Sequence, residues 1–218
     1  MKKLSEKEKA ITYYKKICKV EILNETYLPL SLLYKVLDNT IKGKEDISRL
    51  QNIIKKGHTS FLEFIDITFK ISPITSSALN QITRHRQASF MSSSYHYSKV
   101  ETNTWILPFI KGKYSNEINN LFLNSKLYYD NLLKEGVLKE EARNILPQAI
   151  TYSLIMKINA RSLFNFFNLR LCNRNIPEMV AIAQLIHRKC MHWLPEIFSL
   201  SGPDCKISQC KQGEMKCD

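Results

Sequence analysis

From Ile65 to Ile71 apolar and polar residues alternate without a break: Ile65, Ile67, Phe69 and Ile71 against Asp66, Thr68 and Lys70. A period of two belongs to a strand with one face on a core. Pro73 is then placed to open a helix over Ile74–Thr83, which ends at Arg84-His85-Arg86. Around this unit the same patterns predict short strands at Lys19–Leu23, Tyr95–Val100 and Thr104–Leu107. Helices are predicted over Pro29–Asp38, from an Asp46 cap to a Gly57 stop, and over Tyr114–Leu133, Lys139–Leu146 and Ile176–Leu194. Gln148–Ile158 is apolar and reads as an extended connection or a helix start. The mixture predicts an α+β chain.

A length of 218 residues suits one sizeable core. No stretch of about 18 uncharged apolar residues exists, so no membrane span is expected. Met1-Lys2-Lys3-Leu4-Ser5-Glu6 lacks the apolar core of a signal peptide, and the cytoplasm is the expected location. The formal charge of +12 favours anionic partners, such as nucleic acid, anionic membrane or small phosphorylated ligands. Part of it is local. The first 20 residues hold seven lysines and two glutamates, with a thin apolar stripe at helical spacing, and read as a solvated surface helix. Six cysteines do not imply disulfides in a cytoplasmic chain. The spacing of Cys205, Cys210 and Cys217 is not that of a regular zinc pair, so no metal site is assigned and a reduced tail is favoured over a metal or redox staple.

Two stretches carry chemistry. In Arg84-His85-Arg86 successive residues sit about 100° apart on a helix, so they fan out and cannot all meet one phosphate. They suit an extended, multiply charged ligand, or ligands on two sides. By charge alone the negative end of a helix dipole is the favoured reading of them. The following Ser89, Ser92, Ser93 and Ser94 offer hydroxyl and amide donors. The second stretch is Asn159 to Cys172. Asn159 is a good N-cap, and Arg161, Asn165 and Asn168 fall within about 60° on the helical wheel. Two amides that donate and accept suit the heteroatom edge of a ring system. Arg170 lies opposite, among Leu163 and Phe166, where it meets either a structural carboxylate or an anionic ligand.

Arg84-His85-Arg86, seven further residues and then Ser94 resemble the signature of flavin-dependent thymidylate synthases. The likeness runs from about His58 to Glu178, with a fainter match in the Gly-Pro and Cys-containing tail. It implies a twisted, mostly antiparallel sheet with long flanking helices. It implies one catalytic domain over residues 1–200, with the basic N-terminal helix as an extension, and a Cys-containing tail over 201–218. It implies reductive methylation of dUMP to dTMP with FAD, NADPH and 5,10-methylenetetrahydrofolate, in a homotetramer whose sites draw on several subunits. The matched positions for flavin are His58, Ser60, Glu63, Arg84, His85, Arg86, Gln87, Asn159, Arg161, Asn165 and Leu169. Those for the nucleotide are Gln81, Arg84, Ser92, Ser94, His96, Arg143 and Arg170. Arg84 and Arg170 would polarise the pyrimidine, and Ser94 would touch it without acting as a covalent nucleophile.

The departures from the family pattern fall mainly on the nucleotide side. Met91 stands for the usual Asn, Ser92 for Glu and His96 for Arg. Glu63-Phe64 replaces a Glu-His pair, and Asn175-Ile176-Pro177-Glu178 replaces Ala-Gln-Trp-Glu. A neutral histidine offers one donor and no permanent fork for phosphate. A relative acting on another uracil nucleotide such as UMP is therefore the alternative. A basic nucleic-acid-binding module without catalysis rests on net charge alone.

Overall fold

The computed structural model describes residues 5–96, 98–101, 104–110, 114–207 and 209–210. Tyr97 of the hydroxyl-rich turn and Cys217 of the tail lie outside them. The fold is α+β. Its sheet has four strands, β1 (Lys19–Glu25), β2 (Asp66–Thr75), β3 (Ala88–Ser92) and β4 (Thr151–Asn159), in the order β1-β2-β4-β3. Every pairing is antiparallel. The helices are α1 (Glu6–Ile17), α2 (Pro29–Asp38), α3 (Ile47–Lys55), α4 (Ser76–Ile82), α5 (Tyr114–Lys134), α6 (Lys139–Ala142), α7 (Ala160–Arg170), α8 (Pro177–Trp193), α9 (Pro195–Phe198) and α10 (Asp204–Ile207). Among the described residues no helix is long and apolar enough to cross a membrane.

The alternating strand sits at the centre, as β2. Ile67, Phe69 and Ile71 pair across to Ile158, Met156 and Leu154 of β4, and all six are buried. They form one core with Leu163, Phe166 and Phe167 of α7 and Met179, Ile182 and Ile186 of α8. Each such side chain contributes about 1.5–3 kcal/mol through apolar burial. The other face keeps the polar residues, and Lys157 on β4 pairs with Asp66 on β2 at 3.3 Å.

Three predicted segments differ. The strand does not end at Pro73. The Ser72–Pro73 peptide is cis, the register shifts between Ile71 and Ile74, and pairing resumes with Ile74 opposite Tyr152. Proline is tolerated there because the ladder is already interrupted. The helix therefore starts at Ser76, with Thr75 as its N-cap accepting from the Ala78 N–H at 3.2 Å. Residues 88–92, part of the stretch read as hydroxyl donors beyond the arginines, form β3 on the free edge of β4. Conversely, the described residues of 95–100 and 104–107 form no strand. Tyr95 lies in a turn, with its hydroxyl donating to the Thr151 carbonyl at 2.6 Å, and Trp105 makes a single bridge to Ile150. β4 takes up residues 151–158 of the apolar segment as a strand, because its inward residues meet those of β2.

Candidate functional site

Helix α7 positions most of the candidate site. Asn159 ends β4 and caps the helix, accepting from the Ser162 N–H at 2.8 Å. The cap fixes where the polar stripe points. Arg161 and Asn165 line a cleft of about 640 Å³ together with Asn159, Glu63 and Gln87. The short 3₁₀ turn Ser60–Phe64 brings Glu63 to this cleft, where its carboxylate pairs with the Arg161 guanidinium. Both side chains are half-exposed, so the pair orients more than it stabilises. Gln87 reaches the cleft from the start of β3 and accepts from the Ser162 hydroxyl at 3.4 Å.

The Arg-His-Arg triplet follows α4 in a turn and splits as a fan should. His85 is buried, edge-on to Phe166 at 5.6 Å between ring centroids, while Arg84 and Arg86 are exposed on either side of it. Burial, and then the nearby Arg170, pull the His85 pKa below its usual value, so its imidazole is held neutral. Among the described residues its Nε2 has no hydrogen-bond partner.

At the far end of α7, Arg170 donates to the Gln81 carbonyl at 2.7 Å and to Asn175 Oδ1 at 3.4 Å. Among the described residues it meets no carboxylate within ion-pair distance. Of the two readings of Arg170, the structural carboxylate is thus not found there. Among the described residues its Nε and the Gln81 Oε1 are buried without partners. Burial, and then Arg84, lower the Arg170 pKa. Arg170, Leu169 and Asn168 line a second cleft of about 560 Å³, so the polar stripe of α7 serves two recesses.

Ser94, His96 and Arg143 gather elsewhere, around α6. His96 Nδ1 lies 3.0 Å from a Glu140 carboxylate oxygen, and Arg143 Nε donates to the Glu140 carbonyl at 3.3 Å. Ser94 Oγ accepts from the His96 N–H at 3.2 Å. Arg143 and Tyr95 line a recess of about 230 Å³. Within one chain Arg143 therefore lines a different recess from Arg170. His58, Ser60 and Ser92 are exposed and line none of these three recesses. Thr59, Ser162 and Phe164 line the first cleft and were not predicted. Phe164, three residues past Arg161, was accessible to helical spacing; Thr59 and Ser162 carried no such signal.

The donor set of the first cleft tests whether a flavin fits. Three amides, one carboxylate, one guanidinium, two hydroxyls and the Phe164 ring surround it. Amides that both donate and accept match a flat ring bearing carbonyl and ring-nitrogen edges. His85 Nε2, buried against Phe166 of α7 and unpartnered among the described residues, is a group that ligand or water must satisfy. The residues fit such a group.

A family model described as thymidylate synthase complementing protein matches residues 2–196. The chain belongs to that family. Among its relatives, the flavin-dependent thymidylate synthase of Saccharolobus solfataricus is 34% identical over 163 residues, 73% of this chain and 63% of the relative. That of Sulfolobus acidocaldarius is 32% identical, with the same shares. The match thus covers less than two thirds of these relatives' length. That of Nitratidesulfovibrio vulgaris is 27% identical over 90% of this chain and 92% of its own.

Proposed function

We propose that this protein catalyses the reductive methylation of dUMP to dTMP, with FAD, NADPH and 5,10-methylenetetrahydrofolate. The observation that carries this reading is α7 itself. One helix presents an amide-rich cleft at Arg161 and Asn165 and, at its last turn, an arginine that meets no carboxylate among the described residues, beside the Arg-His-Arg turn. The relatives' shared name supports the flavin and the nucleotide product.

Asn159, Arg161, Asn165, Gln87 and Glu63 would hold the flavin, with neutral His85 and the flanking Arg84 and Arg86 at its edge. His58, Ser60 and Leu169 would contact it from the adjoining loop and helix end. When bound, the flavin supplies hydride transfer between NADPH and the one-carbon unit, chemistry that belongs to the cofactor. The chain's own residues bind, orient and polarise. Arg170 and Arg84 would lie against the pyrimidine and draw electron density toward its carbonyl oxygens, which makes C5 more nucleophilic without a covalent adduct. Gln81 would offer its side-chain amide to the same ring, while its carbonyl keeps Arg170 in place. Arg143, Ser92, Ser94 and His96 would take the phosphate end. Of these, Arg143 lines a different recess from Arg170 within one chain, which motivates a homotetramer in which neighbouring subunits complete each site.

A second reading has a specific observation behind it. His96 stands where the family signature carries arginine, and it is engaged by Glu140 at 3.0 Å. A changed contact set at this end of the nucleotide motivates another uracil nucleotide, such as UMP, as the substrate. The test offers an equal mixture of dUMP and UMP with the three cofactors and identifies the methylated product by mass spectrometry. Product dTMP supports the first reading and methylated UMP the second. Flavin retention without either product refutes both.

A further inference from the structure

Three of the five described cysteines share one recess. Cys172, Cys205 and Cys210 all line the Arg170 cleft of about 560 Å³. Cys18 and Cys190 differ from them. Both are buried in the core, and burial pushes their thiols up, so they stay protonated and inert near neutral pH. Cys205 is exposed, and Cys172 and Cys210 are half-buried, so these three lie open to a dissolved reagent. Among the described residues no three His, Cys, Asp or Glu side chains stand close enough to share a metal ion. The chemistry these thiols offer is therefore exchange rather than coordination.

The three thiols have two unlike supports. Cys172 sits in the turn after α7. Asn175 closes that turn, donating to the Cys172 carbonyl from its N–H at 3.1 Å and from its side-chain amide at 3.0 Å. The same amide donates to the Leu169 carbonyl at 2.7 Å and accepts from Arg170 at 3.4 Å. Cys172 thus belongs to the clamp that holds Arg170. Cys205 and Cys210 belong to the tail, which with Pro203 and Asp204 forms one wall of the cleft. The tail is anchored at Ser201, which is buried, donates to the Phe198 carbonyl at 2.7 Å and lies 3.1 Å from His187 Nε2. Beyond that anchor α10 is a single turn of four residues. A disulfide needs Cα atoms about 4.4–6.8 Å apart, and the one-turn support of Cys205 yields more readily than the clamped turn of Cys172.

The charge of the cleft selects the oxidant. Arg170 and Arg174 set two guanidiniums against one carboxylate, that of Asp204. An anionic disulfide is drawn to such a wall more strongly than a neutral one. We propose that Cys172 and one of the two tail cysteines, Cys205 or Cys210, form a thiol–disulfide exchange site for an anionic small disulfide of the glutathione type. One protein thiolate attacks a sulfur of glutathione disulfide, and the first glutathione leaves. The second protein thiolate attacks the protein sulfur of the mixed disulfide, and the second glutathione leaves. Two protein thiols are oxidised, one glutathione disulfide is reduced to two thiols, and the protein's thiol protons end on the leaving sulfurs. The new bond ties the tail to the turn that holds Arg170. The inference stands on the cleft and not on the proposed reaction, and its test reads no turnover, so the two can fail separately.

The reduced full chain is incubated with glutathione disulfide or with neutral bis(2-hydroxyethyl) disulfide, quenched in acid, alkylated and mapped by non-reducing peptide mass spectrometry. The expected product is Cys172 joined to Cys205 or Cys210 within one chain, reversed by dithiothreitol. The rate with the anionic reagent relative to the neutral one should fall about three-fold in Arg174→Gln and recover in Arg174→Lys, which keeps the charge. A Cys205–Cys210 bond with Cys172 unmodified would overturn the inference. So would a mixed disulfide that goes no further, covalent dimers, or an unchanged rate ratio in Arg174→Gln.

Discussion

Replacing Glu178 by alanine should destabilise the protein by about 3 kcal/mol. The carboxylate is buried at the start of α8 and accepts two hydrogen bonds from Thr75, from its N–H at 2.8 Å and its hydroxyl at 2.6 Å. Thr75 is itself buried and caps α4. Alanine would strand both donors away from water. A hydrogen bond to a charged group is worth about 1.5–3 kcal/mol, so two set a ceiling of about 6 kcal/mol. The offset is the cost of burying the carboxylate, which raises the Glu178 pKa despite both bonds. Roughly half the ceiling should survive that offset. For a chain of this size about 3 kcal/mol corresponds to a fall in Tm of about 6–12 °C. Urea unfolding at pH 7 is the assay, with the midpoint falling at constant m-value. Thr75→Val should cost about half as much, since the backbone N–H keeps its acceptor. The two changes should be strongly non-additive because they share one contact. A loss below about 1 kcal/mol for Glu178→Ala would refute the reasoning, since desolvation would already cancel both bonds.

The same carboxyl makes stability depend on pH. Its folded pKa lies above the ordinary 4.5, so the folded state holds the proton more tightly than the unfolded one. Stability relative to Glu178→Gln should be highest below about pH 4.5, fall as pH rises toward the folded pKa, and level off above it. Neighbouring Tyr14 and Cys18, both pushed up to about 12 by burial, stay neutral across that window. A flat or rising difference in thermal melts would contradict this. Leu28 holds φ +48 at the start of α2 and is largely exposed. Leu28→Gly should therefore raise stability by about 0.5–1 kcal/mol, and an unchanged urea midpoint would count against strain there. His96→Arg should raise dUMP turnover in steady-state assays by restoring a permanent charge at the phosphate end; unchanged turnover and affinity would remove the argument from His96.

What could be read from sequence was local. Period-two alternation placed β2, Pro29 marked the start of α2, capping residues placed α3 and α7, and helical spacing put Arg161 and Asn165 on one stripe that the cleft does use. These signals depend on near neighbours and on side chains that must face water or core. Long-range pairing decided the rest. Residues 88–92 became a strand because the edge of β4 was open to them, and β2 ran past Pro73 because β4 resumed pairing beyond the shift. The contact of Arg170 with the Gln81 carbonyl joins residues 89 apart, and the capture of Thr75 by Glu178 joins residues 103 apart. The sequence by itself determined which side chains stood ready for polar chemistry. Only the tertiary structure decided which of them share a recess, because hydrogen bonds and burial act on distance in space and not along the chain.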